Sequence, residues 1–294
     1  MSDRGTPPRR LVYLGTPAMA VPPLTALVES GFEVVCVVTR VDKRRGRGGE
    51  LSPSPVKAEA QRLGLSVVHT VDEAIALAAE HGADLGVVVA FGQLIKPYAL
   101  AALPMVNLHF SLLPRWRGAA PVERALLAGD DRTGVCLMQL EAGLDTGPVH
   151  AVEVVDIAPT ATGAALRGEL VRVGTDLLVR ELRAGLAPAV PQTGEPTYAA
   201  KLGADDLLLD WSAPAATRDR QIRLGGAWTT WRGRRLKVHE ADVVDAGGTG
   251  STVEPDGLVG GLRLVRVQPD GKAVMSWRDV VNGARMTGAE ELGT

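Results

Sequence analysis

Cysteine is nearly missing: two in 294 residues, Cys36 and Cys136, each inside an apolar, strand-like run. That excludes a disulfide framework and a cysteine-built metal site, and leaves two small apolar side chains of a reducing compartment. The five histidines, at 69, 81, 109, 150 and 239, fall at no ligand spacing, so no metal is expected. No segment approaches the ~18 uninterrupted apolar residues of a membrane span. The N-terminus, MSDRGTPPRR, is polar and has no apolar stretch of the secretory kind, so a cytoplasmic location is expected. An excess of one charge is lacking too. Lys and Arg number 32 against 34 Asp and Glu, so any RNA contact has to come from local basic patches. Internal repeats and low-complexity tracts are absent. What is there, 46% hydrophobic and 22% charged, is the composition of a globular protein of one large domain or two ordinary ones.

The order of the elements narrows the fold. Arg10 to Leu14 is a short apolar run stopped by Gly15-Thr16-Pro17, followed by helical spacing up to Ser30-Gly31. Glu33 to Thr39 is β-branched without polar alternation, as in a strand covered on both faces. Ser54-Pro55 offers a hydroxyl N-cap and a first-turn proline, and Gly64 ends that helix. Strand and helix patterns then alternate through Asp84–Ala90, Met105–His109, Pro121–Ala128, Gly134–Leu140 and a long helix over Gly163–Gly185. This predicts an α/β fold: an open, mostly parallel Rossmann-like sheet with helices on both faces. Ala187 to Ala200 is rich in Pro, Thr and Gly without period, and reads as linker. Beyond Trp211, short alternating segments between Gly-rich turns predict a small C-terminal β-barrel of the OB-like kind. The expected division is 1–188 for the first domain, 189–207 for the linker and 208–294 for the second.

The chemistry concentrates between Val106 and Pro121, VNLHFSLLPRWRGAAP. Asn107 and His109 are two apart at the end of a predicted strand, so they share a face at the end where open α/β sheets bind ligands. Asp145 lies in a Gly-bracketed loop after the next strand, and reaches His109 if the two strands are neighbours. Such a set suits acyl transfer to an amine. An imidazole takes the surplus proton near neutral pH, a carboxylate orients the ring, and an amide donates to the developing oxyanion. A satisfied polar pair at a strand end accounts for Asn107 and His109 equally well on spacing alone.

The surrounding words decide between these. Gly15-Thr16-Pro17, Gly46-Arg47-Gly48, Ser52 to Lys57 (SPSPVK), Val88 to Gly92 (VVAFG), Ser111 to Pro121 (SLLPRWRGAAP) and Gly143 to Gly147 (GLDTG) are similar to the tetrahydrofolate-dependent formyltransferases. Thr197 to Lys201, Asp210-Trp211-Ser212 and Gly226 to Thr229 extend the resemblance over nearly the whole chain. It implies that Asn107, His109 and Asp145 are the catalytic triplet. It also implies that a folate lies along Phe91-Gly92 and the Ser111, Leu112, Leu113 and Pro114 loop. The donor would be 10-formyltetrahydrofolate and the acceptor the α-amino group of methionine on initiator methionyl-tRNA, for translation initiation. The chain is taken as a monomer.

Two basic clusters bear on RNA. Arg40 to Glu50, RVDKRRGRGGE, holds five basic residues and three glycines. It reads as a solvated mobile loop or as an arm of Arg40, Lys43, Arg44, Arg45 and Arg47 on RNA phosphates, and the resemblance favours the arm. Arg232, Arg234, Arg235 and Lys237 open the expected barrel beside Trp228 and Trp231, an arrangement equally suited to RNA and to a charged hairpin over core tryptophans. Two features depart from the family pattern. Phe110 replaces a small residue beside His109, where it either crowds the folate or packs inward, and Ile222 to Trp228 is short. The nearest rival is formyl transfer to an amino-sugar nucleotide. A nicotinamide dehydrogenase fails for want of G-x-G-x-x-G, and RNA binding without catalysis leaves Asn107, His109 and Asp145 unused.

Overall fold

The computed structural model describes residues 4–45 and 49–294. The chain forms two compact units: Met1–Val122, Arg132–Asp156 and Arg167–Ala200 make the first, and Glu123–Asp131, Ile157–Leu166 and Lys201–Thr294 the second.

In chain order the first set of elements is β1 (Arg10–Gly15), α1 (Val21–Glu29), β2 (Glu33–Val38), β3 (Lys43–Arg45), β4 (Glu50–Ser52) and α2 (Pro55–Arg62). Then come β5 (Val67–Val68), α3 (Val71–His81), β6 (Leu85–Val89), α4 (Pro97–Ala102), β7 (Met105–His109) and β8 (Arg117–Gly118). They are followed by α5 (Pro121–Ala128), β9 (Arg132–Gln139), β10 (Val149–Asp156), α6 (Gly163–Ala184) and β11 (Tyr198–Ala199). The helix starts have local causes. Ser54 Oγ accepts from Lys57 N at 3.0 Å with Pro55 behind it, and Thr70 and Glu73 form a reciprocal capping box on α3. Gly82 closes α3 at φ 64°, a left-handed position that favours glycine.

The main sheet runs β10-β9-β7-β6-β1-β2-β5. It is parallel from β7 to β5, while β9 runs antiparallel to β7 and β10 antiparallel to β9. β1 and β6 are buried at successive positions, because both faces are covered. Val12 and Leu14 pack with Ala74 and Ala78 of α3 and Ala99 of α4. Tyr13, one residue out of step, donates its hydroxyl to Ala20 O on the face of α1. The chain proceeds outward from β1 through β2 and β5, then returns to β6 on the other side. That reversal leaves a crevice at the carboxyl ends of β1 and β6, with β7 next in line.

The stretch with linker composition is not a free tether. Val190 exchanges backbone hydrogen bonds with Val149 at 2.8 and 2.9 Å, and β11 pairs in parallel with β8. Residues up to Ala200 therefore belong to the first unit. Prolines and glycines remove helical period but do not prevent single ladders on an edge, which is why composition misses this. β10 is another element without a sequence-level signal, since as the sheet's edge strand it leaves Val152 and Val154 exposed.

The second unit adds α7 (Ala215–Leu224), β12 (Trp228–Trp231), β13 (Arg234–Val243), β14 (Thr252–Val253), β15 (Leu258–Val259), β16 (Leu262–Pro269), β17 (Met275–Ser276), α8 (Trp277–Ala284) and β18 (Glu290–Glu291). The antiparallel order β12-β13-β16-β15, with β17 on β16 and β14 on β18, makes a small barrel-like domain. Trp211, Trp231 and Trp277 fill it with Leu236, Val238, Leu262, Leu264 and Val267. Arg218 is fully buried there and makes no salt bridge among the described residues. Its Nη2 donates to Gly248 O at 2.7 Å and Gly260 O at 2.5 Å, and its guanidinium lies 4.8 Å from the Trp211 ring. Among the described residues no helix is long and apolar enough to cross a membrane.

Candidate active site

The site begins with strand parity. Asn107 and His109 project from one face of β7, Leu108 and Phe110 from the other. The Asn107 amide is half-buried and finds no hydrogen-bond partner among the described residues. His109 is 5% exposed, with Nε2 3.0 Å from Trp116 O and Nδ1 3.7 Å from Asp145 Oδ2. At 3.7 Å the carboxylate lies beyond hydrogen-bond distance of the ring nitrogen. The same Asp145 Oδ2 accepts from Gly118 N at 2.7 Å.

The three residues expected as a set thus lie together, although by a route the strand order alone does not disclose. β9 is indeed the neighbour of β7, but it is antiparallel: His109 faces Cys136, and Val106 faces Gln139. The loop after β9 therefore starts beside the beginning of β7, where Leu140 N donates to Met105 O. It must fold back over the sheet to bring Asp145 to His109. Asp145 holds φ 50° in doing so. Opposite it, Gly118 has φ 120°, and a Cβ there would lie 2.9 Å from Ala199 O, so only glycine fits. Ser111 Oγ donates to Arg115 O at 2.6 Å and closes the loop after β7. Thr197 Oγ1 accepts from Trp116 N at 2.9 Å and holds its far end.

Cys136 stands directly across from His109 and could suggest a thiol nucleophile. Burial pushes its thiol up to about 11, so it carries no thiolate near neutral pH. Phe110 does not crowd the histidine. It is buried on the opposite face, where α6 passes it with Gly174: a Cβ at Gly174 would meet Phe110 Cε1 at 3.4 Å. The absent side chain on the helix makes room for the ring on the strand.

The residues expected along the folate divide in two. Phe91 packs its ring into the core with Val12, Leu14 and Val88, leaving backbone on the site side, and buried Ser111 spends its hydroxyl inside its own loop. Gly92 is exposed with nothing near its Cβ position, and Leu112, Leu113 and Pro114 are half-buried. These last four are the more accessible group. Trp116 O and Gly118 N, which touch the histidine and the aspartate, go unnoticed in the sequence because they act through backbone. Thr197 belongs to a word that carries the resemblance, but its part in holding the loop is not read from it because its stretch has linker composition.

The basic arm is a hairpin at its base. Lys43 pairs with Ser52, Arg44 with Leu51 and Arg45 with Glu50. Lys43 and Arg44 are exposed, Arg40 is half-buried after β2, and Arg47 lies outside the described residues. Lys57 binds both oxygens of Asp42 at 2.8 and 2.9 Å at the foot of the hairpin. In the second unit Arg232 is held by Glu290 and lies 4.7 Å from the Trp231 ring. Arg234 meets Asp270 at 3.3 Å, Arg235 stacks 4.1 Å from Trp228, and Lys237 is exposed. No group of three or more His, Cys, Asp or Glu able to hold a metal occurs among the described residues.

The chain is similar to known proteins. Residues 9–182 match the family model of formyl transferase, and residues 201–285 that of the formyl transferase C-terminal domain. The chain is 46% identical to the methionyl-tRNA formyltransferase of Roseobacter denitrificans, over 94% of this chain and 96% of that one. It is 44% identical to that of Symbiobacterium thermophilum, over 97% and 94%. Among solved structures, the N-formyltransferase of Helicobacter canadensis, in complex with folinic acid and dTDP-3-aminofucose, superposes with a TM-score of 0.65 at 16% identity, covering 89% of this chain and 99% of that one. HypX of Aquifex aeolicus in complex with tetrahydrofolic acid gives 0.63 at 15%, covering 96% and 48%. At such identities these two share the fold.

Proposed function

The chain belongs to the formyl transferase family, and from that premise we propose that it formylates the α-amino group of methionine on initiator methionyl-tRNA. The observation that carries this reading is the match to methionyl-tRNA formyltransferases along nearly the whole chain, C-terminal domain included. Folate is the carrier of the formyl group, and 10-formyltetrahydrofolate is the form we assign as donor. The exposed Gly92 backbone and the half-buried Leu112 to Pro114 segment offer it a polar edge and an apolar wall.

The amine nitrogen bonds to the formyl carbon, the bond from that carbon to the folate nitrogen breaks, and the amine's surplus proton ends on the folate nitrogen. Asn107 has the free amide that this needs, a donor for the oxygen that gains charge. His109 takes the surplus proton. Its ring lies between Trp116 O on one side and the Asp145 side chain on the other. With Nε2–H donated to Trp116 O, Nδ1, which makes no hydrogen bond at 3.7 Å from Asp145 Oδ2, keeps the lone pair that accepts the proton. Arg40, Lys43, Arg44, Arg45 and Arg47 supply phosphate contacts. Arg235 and Lys237 supply them on the second unit, with Arg232 and Arg234 contributing after exchange of their carboxylate partners. As domains, we assign catalysis to 1–188 and tRNA binding to 208–294.

The test is formylation of charged initiator tRNA with 10-formyltetrahydrofolate. Loss of one oxyanion donor predicts a drop in kcat of about 10²–10³ for Asn107→Ala. His109→Ala should lose about 10²–10⁴, the usual worth of a general base. Wild-type product on an amino-sugar nucleotide but none on the tRNA would overturn the acceptor, and full activity of His109→Ala would overturn the base.

A further inference from the structure

Gln192 lies in the stretch whose composition reads as linker, yet every hydrogen-bonding position of its carboxamide is filled. Oε1 accepts from Arg117 Nε at 3.1 Å and from Arg117 Nη2 at 2.6 Å. Nε2 donates to Asp145 O at 2.8 Å and to Gly147 O at 2.8 Å. Two lone pairs and two N–H groups are all that a glutamine side chain has, so the group is saturated. Its partners are the two loops that surround His109. Arg117 stands between Trp116, whose carbonyl faces Nε2, and Gly118, whose N–H holds the Asp145 carboxylate. The backbone of Gln192 is itself pinned, by Val190 on Val149 before it and by Thr197 on Arg117 after it. Such a restraint helps at Asp145, because φ 50° is an uncommon conformation for a non-glycine residue, though one that aspartate adopts more readily than most.

We propose that Gln192 is a positioning residue that fixes the Asp145 loop, and with it the carboxylate, beside His109. This rests on the reading of Asn107, His109 and Asp145 as the reacting set. Glutamate separates donation from packing. Gln192→Glu keeps the size and an acceptor for Arg117, but has no N–H for the carbonyls of Asp145 and Gly147. A role in folding alone would lower the melting temperature of both variants and leave the kcat of the folded enzyme unchanged.

The experiment is a double-mutant cycle on methionyl-tRNA formylation, with melting temperature followed for each variant. Gln192→Glu and Gln192→Ala should both lower kcat about 5- to 100-fold, the worth of two lost hydrogen bonds, with KM for the folate and for the tRNA within about threefold. In an Asp145→Ala background, where there is no carboxylate left to position, the same substitutions should cost less than about twofold more. An undiminished further loss in that background, or wild-type kcat in Gln192→Glu, overturns the positioning role while leaving the catalytic reading intact. Wild-type kcat in Asp145→Ala overturns both.

Discussion

Gly174 on α6 is the place where packing and helix propensity oppose each other, and their magnitudes decide the sign. Replacing a mid-helix glycine by alanine stabilises a helix by about 0.8–1 kcal/mol when the site is open. Here it is closed. The added Cβ would stand 3.1 Å from Leu108 Cδ2, 3.1 Å from Val135 Cγ1 and 3.4 Å from Phe110 Cε1. Those atoms sit on two neighbouring strands of a sheet, so they cannot all swing aside and the helix must lift by a few tenths of an ångström. Overpacking of this kind costs about 1–3 kcal/mol. The net expectation for Gly174→Ala is destabilisation of about 1 kcal/mol, or a fall of about 2–4 °C in the melting temperature of the first unit. Activity at 25 °C should be unchanged, since Leu108 and Phe110 point away from the Asn107 and His109 face. Thermal melts read with a probe of the first unit, alongside kcat, test this. A rise in stability near the propensity value would refute the close seating of α6, and a loss of kcat without a loss of stability would refute the separation of faces.

Two other expectations follow from side chains away from the site. The carboxyl of Glu59 is held down to about 2 by its hydrogen bonds with Arg62, and further by the one from Thr25. A depressed carboxylate contributes stability that is fully present above its unfolded value and lost as pH falls toward the folded one. The melting temperature of Glu59→Gln should therefore lie below wild type at pH 7 and approach it as pH falls from 4.5 toward about 2; a constant gap would contradict the assignment. Arg218 loses two carbonyl acceptors when replaced, but also sheds a buried charge whose Nε and Nη1 have no partner. These effects nearly offset, so Arg218→Met should cost less than about 1.5 kcal/mol, whereas Arg218→Ala adds a cavity and should cost about 2–5 kcal/mol. Denaturant melts of the two variants settle it, and equal losses would show that the charge itself holds the second unit together.

Much of the first unit was legible in the order of residues. Unbroken β-branched runs mark strands covered on both faces, and the Ser54-Pro55 start marks a helix, because both signals are local. β7 over Met105–His109 and α5 over Pro121–Ala128 fall where their patterns end. Less of the second unit could be read. α7 carries mostly polar residues and α8 is only eight long, so neither has the sustained apolar stripe from which a helix is recognised. Phe110 was harmless by parity alone, an argument available from the sequence, although its partner Gly174 was not.

The sequence by itself determined which groups could do the chemistry: a strand end with Asn107 and His109 on one face, a glycine-bracketed aspartate, and the words around them that name a formyl donor. Only the tertiary structure decided that these groups meet. The sense of β9, the return of the Asp145 loop over the sheet, and the attachment of residues 190–199 to both loops depend on hydrogen bonds between positions 27 to 81 residues apart. Several of these are made by backbone groups, which every residue has and which no sequence pattern marks.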